Sequence, residues 1–456
     1  MIAFTLHELA QRLGARVVGG EASVHSVSSD SRSLQPGDLF VALIGAHFDG
    51  HDYLDVAAQR GACAALVSRE QLHRLPQLVV DDTLQALGRL ALLWREHARA
   101  RVIAVTGSNG KTTLKEMIAA VLRHLGEVLA TRGNLNNDIG LPLTLTRLQD
   151  EDYAVLELGA NHAGEIDYLS RIARPDVAVL NNAGRAHLEG FGSLEGVARA
   201  KAEILHGLDP DGVFVYNADD RFAPLWRELA AGQATRSFGV QRPADVSSPP
   251  DAGELVWRDA GFGYRFPVRT PAGDVDLELR LAGGHNRMNA LAATAASLSA
   301  GATLDAVAAG LAEIAPVRGR LCPLPGRDGM RLVDDSYNAN PDSVAAAIAV
   351  LAAAPGRRNL VLGDLAELGG DAAALHAEIG RAARAAGLER LYTCGELSAA
   401  ASAAFGSGAR HCPAQAELVD VLAAELDAED TVLVKGSRAA HMERVVEALS
   451  AETAPC

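Results

Sequence analysis

The sequence predicts an α/β protein built as three domains. Two observations carry this. Continuous apolar strands alternate with helical stretches in two separate runs, "RVIAVT", "YAVLELG", "DVAVLNN", "GVFVYNAD" and later "MRLVDDS", "RNLVLGD", "ERLYTCG", "DTVLVKGS". Strands apolar along their whole length imply parallel sheets covered on both faces. The length of 456 residues, at roughly 150 residues per domain, agrees with about three such units.

The first unit spans 1–98. It mixes short strands ("DLFVAL", "CAALVS", "QLVVDD") with helical stretches and closes with a helix over 83–99. Its start, "MIAFTLHELAQRLGARVVGG", has no basic segment followed by an apolar run, so it reads as strand and helix rather than a signal peptide. The second unit, 99–316, opens with strand, glycine loop and helix. Over about 235–283 it changes character: "GELVWRD", "GYRFPVR" and "DVDLELRL" alternate between turn residues and predict a β-rich extension, followed by helices over 287–298 and 304–314. The Pro/Gly/Arg-rich "APVRGRLCPLPGRDG" marks the boundary to the third unit, 317–456, which reads as doubly wound and Rossmann-like but has no GxGxxG dinucleotide fingerprint.

Composition narrows the function classes. Hydrophobic residues make up 48% and charged residues 22%, an ordinary globular mix. A net charge of -15 argues against a broad nucleic-acid surface, which needs a basic footprint. The longest apolar run, 344–354, is too short to span a bilayer. Five cysteines without CxxC spacing suit the reduced thiols of a cytoplasmic protein.

The chemistry starts at "RVIAVTGSNGKTTLKEM". It resembles a P-loop, yet only two residues separate Gly107 from Gly110-Lys111-Thr112, against the usual four. Glycines let backbone N–H groups approach phosphate oxygens, and the helix that follows adds a positive end. That dipole contributes about 0.3–1 kcal/mol, up to ~2 when buried, too little for a triphosphate. Lys111 supplies the cation, and the Thr112 hydroxyl a ligand for Mg²⁺. Glu157, near the carboxyl end of "YAVLELG", lies where open α/β sheets bind ligands. A carboxylate there needs a metal or an ion-pair partner; the metal reading is preferred. His187 follows the strand "DVAVLNN" in a Gly-rich loop and is a candidate ligand. His162 is a weaker one or a helix cap. Lys201 sits in the helix "LEGVARAKAEILHGL" and on spacing alone reads as a solvated lysine.

Further polar clusters follow. Asn134, Asn136 and Asn137 in "TRGNLNNDIGLP" suit turns, or the reading of peptide amides and carboxylates without added charge. His285, Asn286 and Asn289 open a helix, where an Asn amide could read adenine's edge. Asp334 and Asp335 end one strand of the third unit, and Lys435, Ser437 and Arg438 follow another. Acid and base at such ends predict a second polar face opposite the glycine loop.

Taken together, "TGSNGKTT", "ELGANHAGEI", "AHLEGFGS…ARAKAEI", "GGHNRMNA" and "DDSYNANPDS" resemble the Mur ligase family, in order and over essentially the whole chain. "GNLNNDIGLP" and "DDSYNANP" are associated with the member that adds D-alanyl-D-alanine to UDP-N-acetylmuramoyl-tripeptide. "SSDSRSLQPGDLFVALIGAHFDGHDY" resembles the family's uridine-nucleotide domain. Leu365 stands where methionine is expected, a conservative change.

The resemblance implies an ATP-dependent peptide-bond-forming ligase of peptidoglycan synthesis, working through an acyl phosphate. It implies that Gly107, Ser108, Asn109, Gly110, Lys111, Thr112 and Thr113 hold ATP, that Asn289 reads adenine, that Arg320 contacts the nucleotide phosphates and that Asp335 lies near the ribose. Glu157, His187 and Thr112 would bind Mg²⁺, together with a carbamylated Lys201. Ser31 and Arg32 fall in the UDP segment; Asn134, Asn136, Asn338, Asn340 and Arg438 are candidate substrate contacts. The implied protein is a cytoplasmic monomer that neither enters a membrane nor binds nucleic acid. Folylpolyglutamate synthase shares the short loop but lacks a "DSR…PGDLF" segment. The sibling that adds the third residue is expected to carry Asp-Asn-Pro-Arg where this chain has "DDSYNANPDS". A nucleotide-binding switch would need neither acceptor nor amine to act.

Overall fold

The computed structural model describes residues 2–258 and 261–451. Its architecture rests on three large sheets of five, ten and six strands, plus a two-stranded pair near the start. In the N-terminal sheet, Ser26–Ser28, Asp38–Val41, Ala64–Val67 and Gln77–Val79 run parallel, and Arg16–Val18 closes one edge antiparallel. The helix Thr83–His97, capped by the Asp82 carboxylate, buries Leu87, Leu90 and Trp94 against this sheet. It ends slightly before the expected 99.

In the central sheet, Val128–Ala130, Tyr153–Glu157, Arg101–Thr106, Val177–Leu180, Val213–Asn217, Ala234–Gly239 and Val246–Ser247 lie parallel in that spatial order. The expected β-rich extension is present: Glu254–Arg258, Gly261–Thr270 and Gly273–Leu279 add antiparallel to that edge. The strand Arg101–Thr106 faces two cores. Ile103 and Val105 pack on one side with Met117 and Leu291, and Val102 and Ala104 on the other with Leu141 and Ile166. Burying one Val or Ile side chain stabilises by about 1.5–3 kcal/mol. The anchored strand therefore outweighs a helix dipole, and the glycine loop is carried on rigid backbone.

The C-terminal sheet has spatial order Cys322–Pro325, Arg331–Asp335, Asp430–Lys435, Arg357–Gly363, Arg390–Cys394, Ala409–Cys412. All neighbours are parallel except the first pair. The helix Pro341–Ala352 begins on an Asn340 capping box with proline in its first turn. The four described cysteines are free thiols; Cys456 lies outside the described residues. Among the described residues, no helix is long and apolar enough to cross a membrane.

Candidate active site

The carboxyl ends of the central and C-terminal sheets face each other across a cavity of about 990 Å³. On one wall, the strand Arg101–Thr106 turns through Gly107 and Gly110 into the helix Lys111–Leu122. Gly110 takes φ +78°, and a Cβ there would meet Asn289 Oδ1 at 2.5 Å, so the loop and the helix Gly284–Ser299 touch only because position 110 has no side chain. Lys111 Nζ folds back onto the Gly107 carbonyl at 2.8 Å. Burial lowers its pKa; Glu157 opposes that shift and Arg320 adds to it. An anion in the cavity would offset that burial.

Glu157 is 3% exposed. Its two oxygens accept from the Thr112 hydroxyl and from Asn136 Nδ2, each at 2.8 Å, and its own N–H donates to Thr131 Oγ1 at 3.0 Å. Among the described residues Glu157 makes no salt bridge, and Lys111 is the cation that its charge acts on. Asn289 Oδ1 accepts from Asn181 Nδ2 at 2.8 Å and its amide donates to Asn286 at 3.2 Å.

His187 also lines the cavity, with φ 53° and its Nδ1 2.5 Å from Glu367 of the C-terminal unit. Burial lowers its pKa, against the pull of the Glu367 carboxylate. Lys201 overturns the solvated reading: it is 2% exposed, its Nζ donating to the Ala160 carbonyl at 3.4 Å and lying 5.2 Å over the Phe191 ring. Desolvation, then Lys111, bring its pKa down to about 7. Lys201 lies in a helix, Leu194–Ala202, as the sequence predicts, but its side of that helix faces the core. His162 is not a cap: Gly164 takes that place, and His162 pairs with Glu165.

The opposite wall comes from the C-terminal sheet. Asp335 and Lys435 are register partners on neighbouring parallel strands, their side chains paired at 2.7 Å. Burial raises the Asp335 pKa while Lys435 holds it down. Arg320 stacks on Tyr337 with 4.3 Å to the ring centroid. Lys435 Nζ donates to the Asn338 carbonyl at 3.0 Å. Asn340 is engaged at both ends, capping its helix through Oδ1 and donating from Nδ2 to Asn109 Oδ1 at 2.7 Å.

Three segments match known family domains: residues 105–297 the Mur ligase middle domain, 319–438 the Mur ligase glutamate ligase domain, and 23–95 the Mur ligase family catalytic domain. The chain is 48% identical to UDP-N-acetylmuramoyl-tripeptide--D-alanyl-D-alanine ligase of Escherichia coli, across 98% of this chain and 99% of that protein. The chain belongs to the Mur ligase family.

Other family members agree. The ligase of the same name from Bacillus subtilis is 36% identical over 93% of each chain. The crystal structure of MurF from Acinetobacter baumannii superposes with a TM-score of 0.90, at 36% identity and 98% coverage of both chains. MurF from Thermotoga maritima, solved in complex with ADP, gives 0.83 at 29% identity, covering 93% of this chain and 97% of that one.

Among the expected site residues of this Mur ligase, the cavity gathers Ser108 to Thr113, Asn134, Asn136, Glu157, His187, Asn289, Arg320, Asp335, Asn338, Asn340 and Arg438. Lys201 stands behind this lining. Ser31 and Arg32 are elsewhere, in the N-terminal unit: Ser31 is buried, while Arg32 is bound by Asp30 at 2.9 Å and its side chain is 86% exposed. Sequence reasoning missed Asn181, Asn182 and Arg185. Asn181 and Asn182 carry a legible signal, a polar pair directly after a buried strand on the ligand-binding edge.

Proposed function

We propose that the chain is an ATP-dependent ligase joining D-alanyl-D-alanine to the terminal carboxylate of UDP-N-acetylmuramoyl-tripeptide, giving the pentapeptide used in peptidoglycan synthesis. The observation that carries this is the single cavity in which a short phosphate loop faces the polar strand ends of the C-terminal sheet, in a chain so similar over its length to ligases of that name.

A carboxylate is a poor electrophile and needs activation. The γ-phosphoryl group of ATP passes to the terminal carboxylate oxygen, releasing ADP and leaving an acyl phosphate. The amine of D-alanyl-D-alanine attacks the acyl carbon, and the tetrahedral adduct collapses with loss of phosphate. Lys111 and the N–H groups of residues 107–113 offset the charge that builds on the transferring group. Asn289 reads adenine, Asp335 holds the ribose side and Arg320 reaches the phosphates. Asn134 and Asn136 face the peptide end, while Ser31 and Arg32 belong to the uridine nucleotide. Asn338 and Arg438 suit the incoming dipeptide better than Asn340, whose amide is already committed.

The donor set fits Mg²⁺. Thr112, Glu157 and His187 supply hard or borderline oxygen and nitrogen donors, and substrate phosphates and waters would complete the shell. The bound ion would polarise the phosphoryl oxygens. Lys201 fits carbamylation: with a pKa of about 7, much of it is neutral amine at neutral pH. That amine can add CO₂, forming an N–C bond, releasing a proton and turning a cation into an anion whose charge His187 would feel.

The proposed functional domains are 1–98 for the uridine nucleotide, 99–316 for ATP and 317–456 for the amine-side ligase face, in a cytoplasmic monomer. The test is ADP release from purified protein with Mg²⁺, ATP, UDP-N-acetylmuramoyl-tripeptide and D-alanyl-D-alanine, omitting each in turn. Release that needs both peptide substrates and yields the pentapeptide is expected. Release supported only by a different acceptor would move the substrate assignment to a sibling ligase.

A further inference from the structure

Three buried asparagines join the phosphate loop to the helix Gly284–Ser299. Asn181, Asn286 and Asn289 are 2%, 4% and 3% exposed. Asn286 Nδ2 donates to the Ala282 carbonyl at 2.8 Å. Asn289 Nδ2 donates to Asn286 Oδ1 at 3.2 Å, and Asn181 Nδ2 donates to Asn289 Oδ1 at 2.8 Å. The same Asn181 nitrogen donates to the Asn109 carbonyl of the loop at 3.0 Å. Both ends of this chain are backbone carbonyls, which only accept. Each end therefore dictates which way its neighbouring amide faces, and the two ends agree on Asn289. The Asn181 backbone is fixed as well: its N–H donates to the Thr106 carbonyl at 3.0 Å, and its carbonyl accepts from Asn217 Nδ2 at 3.1 Å. Gly110 admits this packing, since a Cβ there would lie 2.9 Å from Asn181 Nδ2.

We propose that Asn181 is a positioning residue that sets the choice of adenine over guanine by locking the amide of Asn289. The proposal rests on the reading that Asn289 meets the base. A side-chain amide has two N–H donors and two acceptor lone pairs. The chain uses one of each on Asn289, which leaves one donor and one acceptor, in fixed order, for the cavity that Asn289 lines. Adenine offers the complement, N6–H beside the N7 or the N1 acceptor. Guanine offers two acceptors on its N7 edge and the reversed order on its N1 edge. A flipped Asn289 would suit that N1 edge. With Asn181 in place, the flip sets N–H against N–H at one end of Asn289 and oxygen against oxygen at the other. Without Asn181, Asn289 and Asn286 can turn together and lose only the hydrogen bond to Ala282. Asn286 alone is a weak lock, and Asn181 decides the order.

The experiment is isothermal titration of the full chain with ADP and with GDP, in Mg²⁺, for the wild-type protein, Asn181→Leu, Asn181→Asp and Asn289→Leu. The two nucleotides share sugar and phosphates, so the ratio of their Kd values reports the base alone. A bidentate amide–base pair discriminates by roughly 5- to 150-fold. Asn181→Leu, similar in size and without a donor, is expected to lower the preference for ADP at least about fivefold. Asn181→Asp turns an acceptor toward Asn289 and should shift the ratio further toward guanine. Its charge weakens both nucleotides alike, which the ratio cancels, and Asn181→Leu keeps the test open should Asn181→Asp fold poorly. An unchanged ratio in Asn181→Leu, with both nucleotides weakened equally, would reduce Asn181 to packing and overturn the lock. Asn289→Leu separates the two claims. If it abolishes the preference while Asn181→Leu keeps it, the adenine reading stands and the lock falls. If it leaves the preference intact, or the wild-type protein has none, the adenine reading falls and takes the lock with it.

Discussion

The Thr112 hydroxyl donates to Glu157 Oε2 at 2.8 Å, linking the first turn of the loop helix to the end of a neighbouring strand. Asn136 takes the other oxygen. A lone carboxylate, buried and held by neutral donors beside Lys111, is poised for a cation that brings its own anionic partner. Glu157→Gln keeps both size and hydrogen-bonding capacity but removes the charge. Its expected result is a loss of ATP turnover of about 10- to 100-fold, with the melting temperature little changed. Chelation of divalent ions with EDTA should silence the wild-type protein, and added Mg²⁺ should restore it. Turnover by Glu157→Gln at the wild-type rate would remove this carboxylate from the proposed metal site.

Lys111 and Lys201 repel one another, and both have pKa values lowered by burial. Lys111→Ala should fold normally and release no ADP. Lys201→Ala should be inactive and regain part of its activity with short carboxylic acids, which can occupy the space of a carbamate. The pH dependence has a definite sign. Lys201 titrates at about 7, so below that pH the amine is protonated and cannot add CO₂. At pH 6 the wild-type protein should need more bicarbonate for full activity than at pH 8. Carbon-13 NMR with labelled bicarbonate would detect the carbamate directly; an unmodified, fully active Lys201 would end this account.

Much of this site can be read in the sequence, because strand ends are local features. Gly110, Lys111, Thr112 and Glu157 each follow a recognisable apolar strand, and a parallel sheet brings such ends to one edge. Asp335 and Lys435 are legible for the same reason, and the structure makes them register partners. Burial of Lys201 is not legible from spacing, since a helix with basic residues at 199 and 201 gives no sign of which one faces inward. The contacts of Arg185 with Asp342 and Glu378 are less legible still. They depend on how two separately folded sheets meet, which no local pattern encodes. The residues proposed for the uridine side show the opposite limit: Ser31 and Arg32 come only from family resemblance, and the cavity does not reach them.

Gly110 makes a sharper test of the loop geometry. Its φ of +78° and the 2.5 Å approach of Asn289 Oδ1 leave no room for a methyl group. Gly110→Ala should displace the Asn181–Asn289–Asn286 amide chain and weaken nucleotide binding by tenfold or more, roughly the effect of losing one or two hydrogen bonds. Isothermal titration with ADP checks this. Binding as tight as wild type would mean that the loop relaxes without disturbing the amide chain.

His285 gives a stability prediction. Burial, with a smaller push from Lys435, brings its pKa down to about 4, against roughly 6.5 in an unfolded chain. Between those values the unfolded state binds more protons than the folded one, so stability rises with pH across this window and falls as the solution is acidified. Urea denaturation between pH 7 and pH 4 should show the loss, and His285→Gln should flatten its slope. An unchanged slope in the variant would assign the acid sensitivity to other groups.

The Asp335–Lys435 pair separates stability from function. Both side chains are nearly out of solvent, 12% and 3% exposed, and are held at 2.7 Å. Removing one member leaves the other charged and buried, an effect of about 3–5 kcal/mol. Lys435→Met should therefore lower stability by about that amount in urea melts. Replacing both, with Asp335→Leu added, should recover most of the loss, because an apolar pair of similar volume no longer strands a charge. The double variant should nonetheless remain inactive, since Asp335 is proposed to face the ribose and Lys435 fixes the Asn338 carbonyl. Recovery of stability and activity together would reduce the pair to a packing device; recovery of stability alone would place it in the nucleotide site.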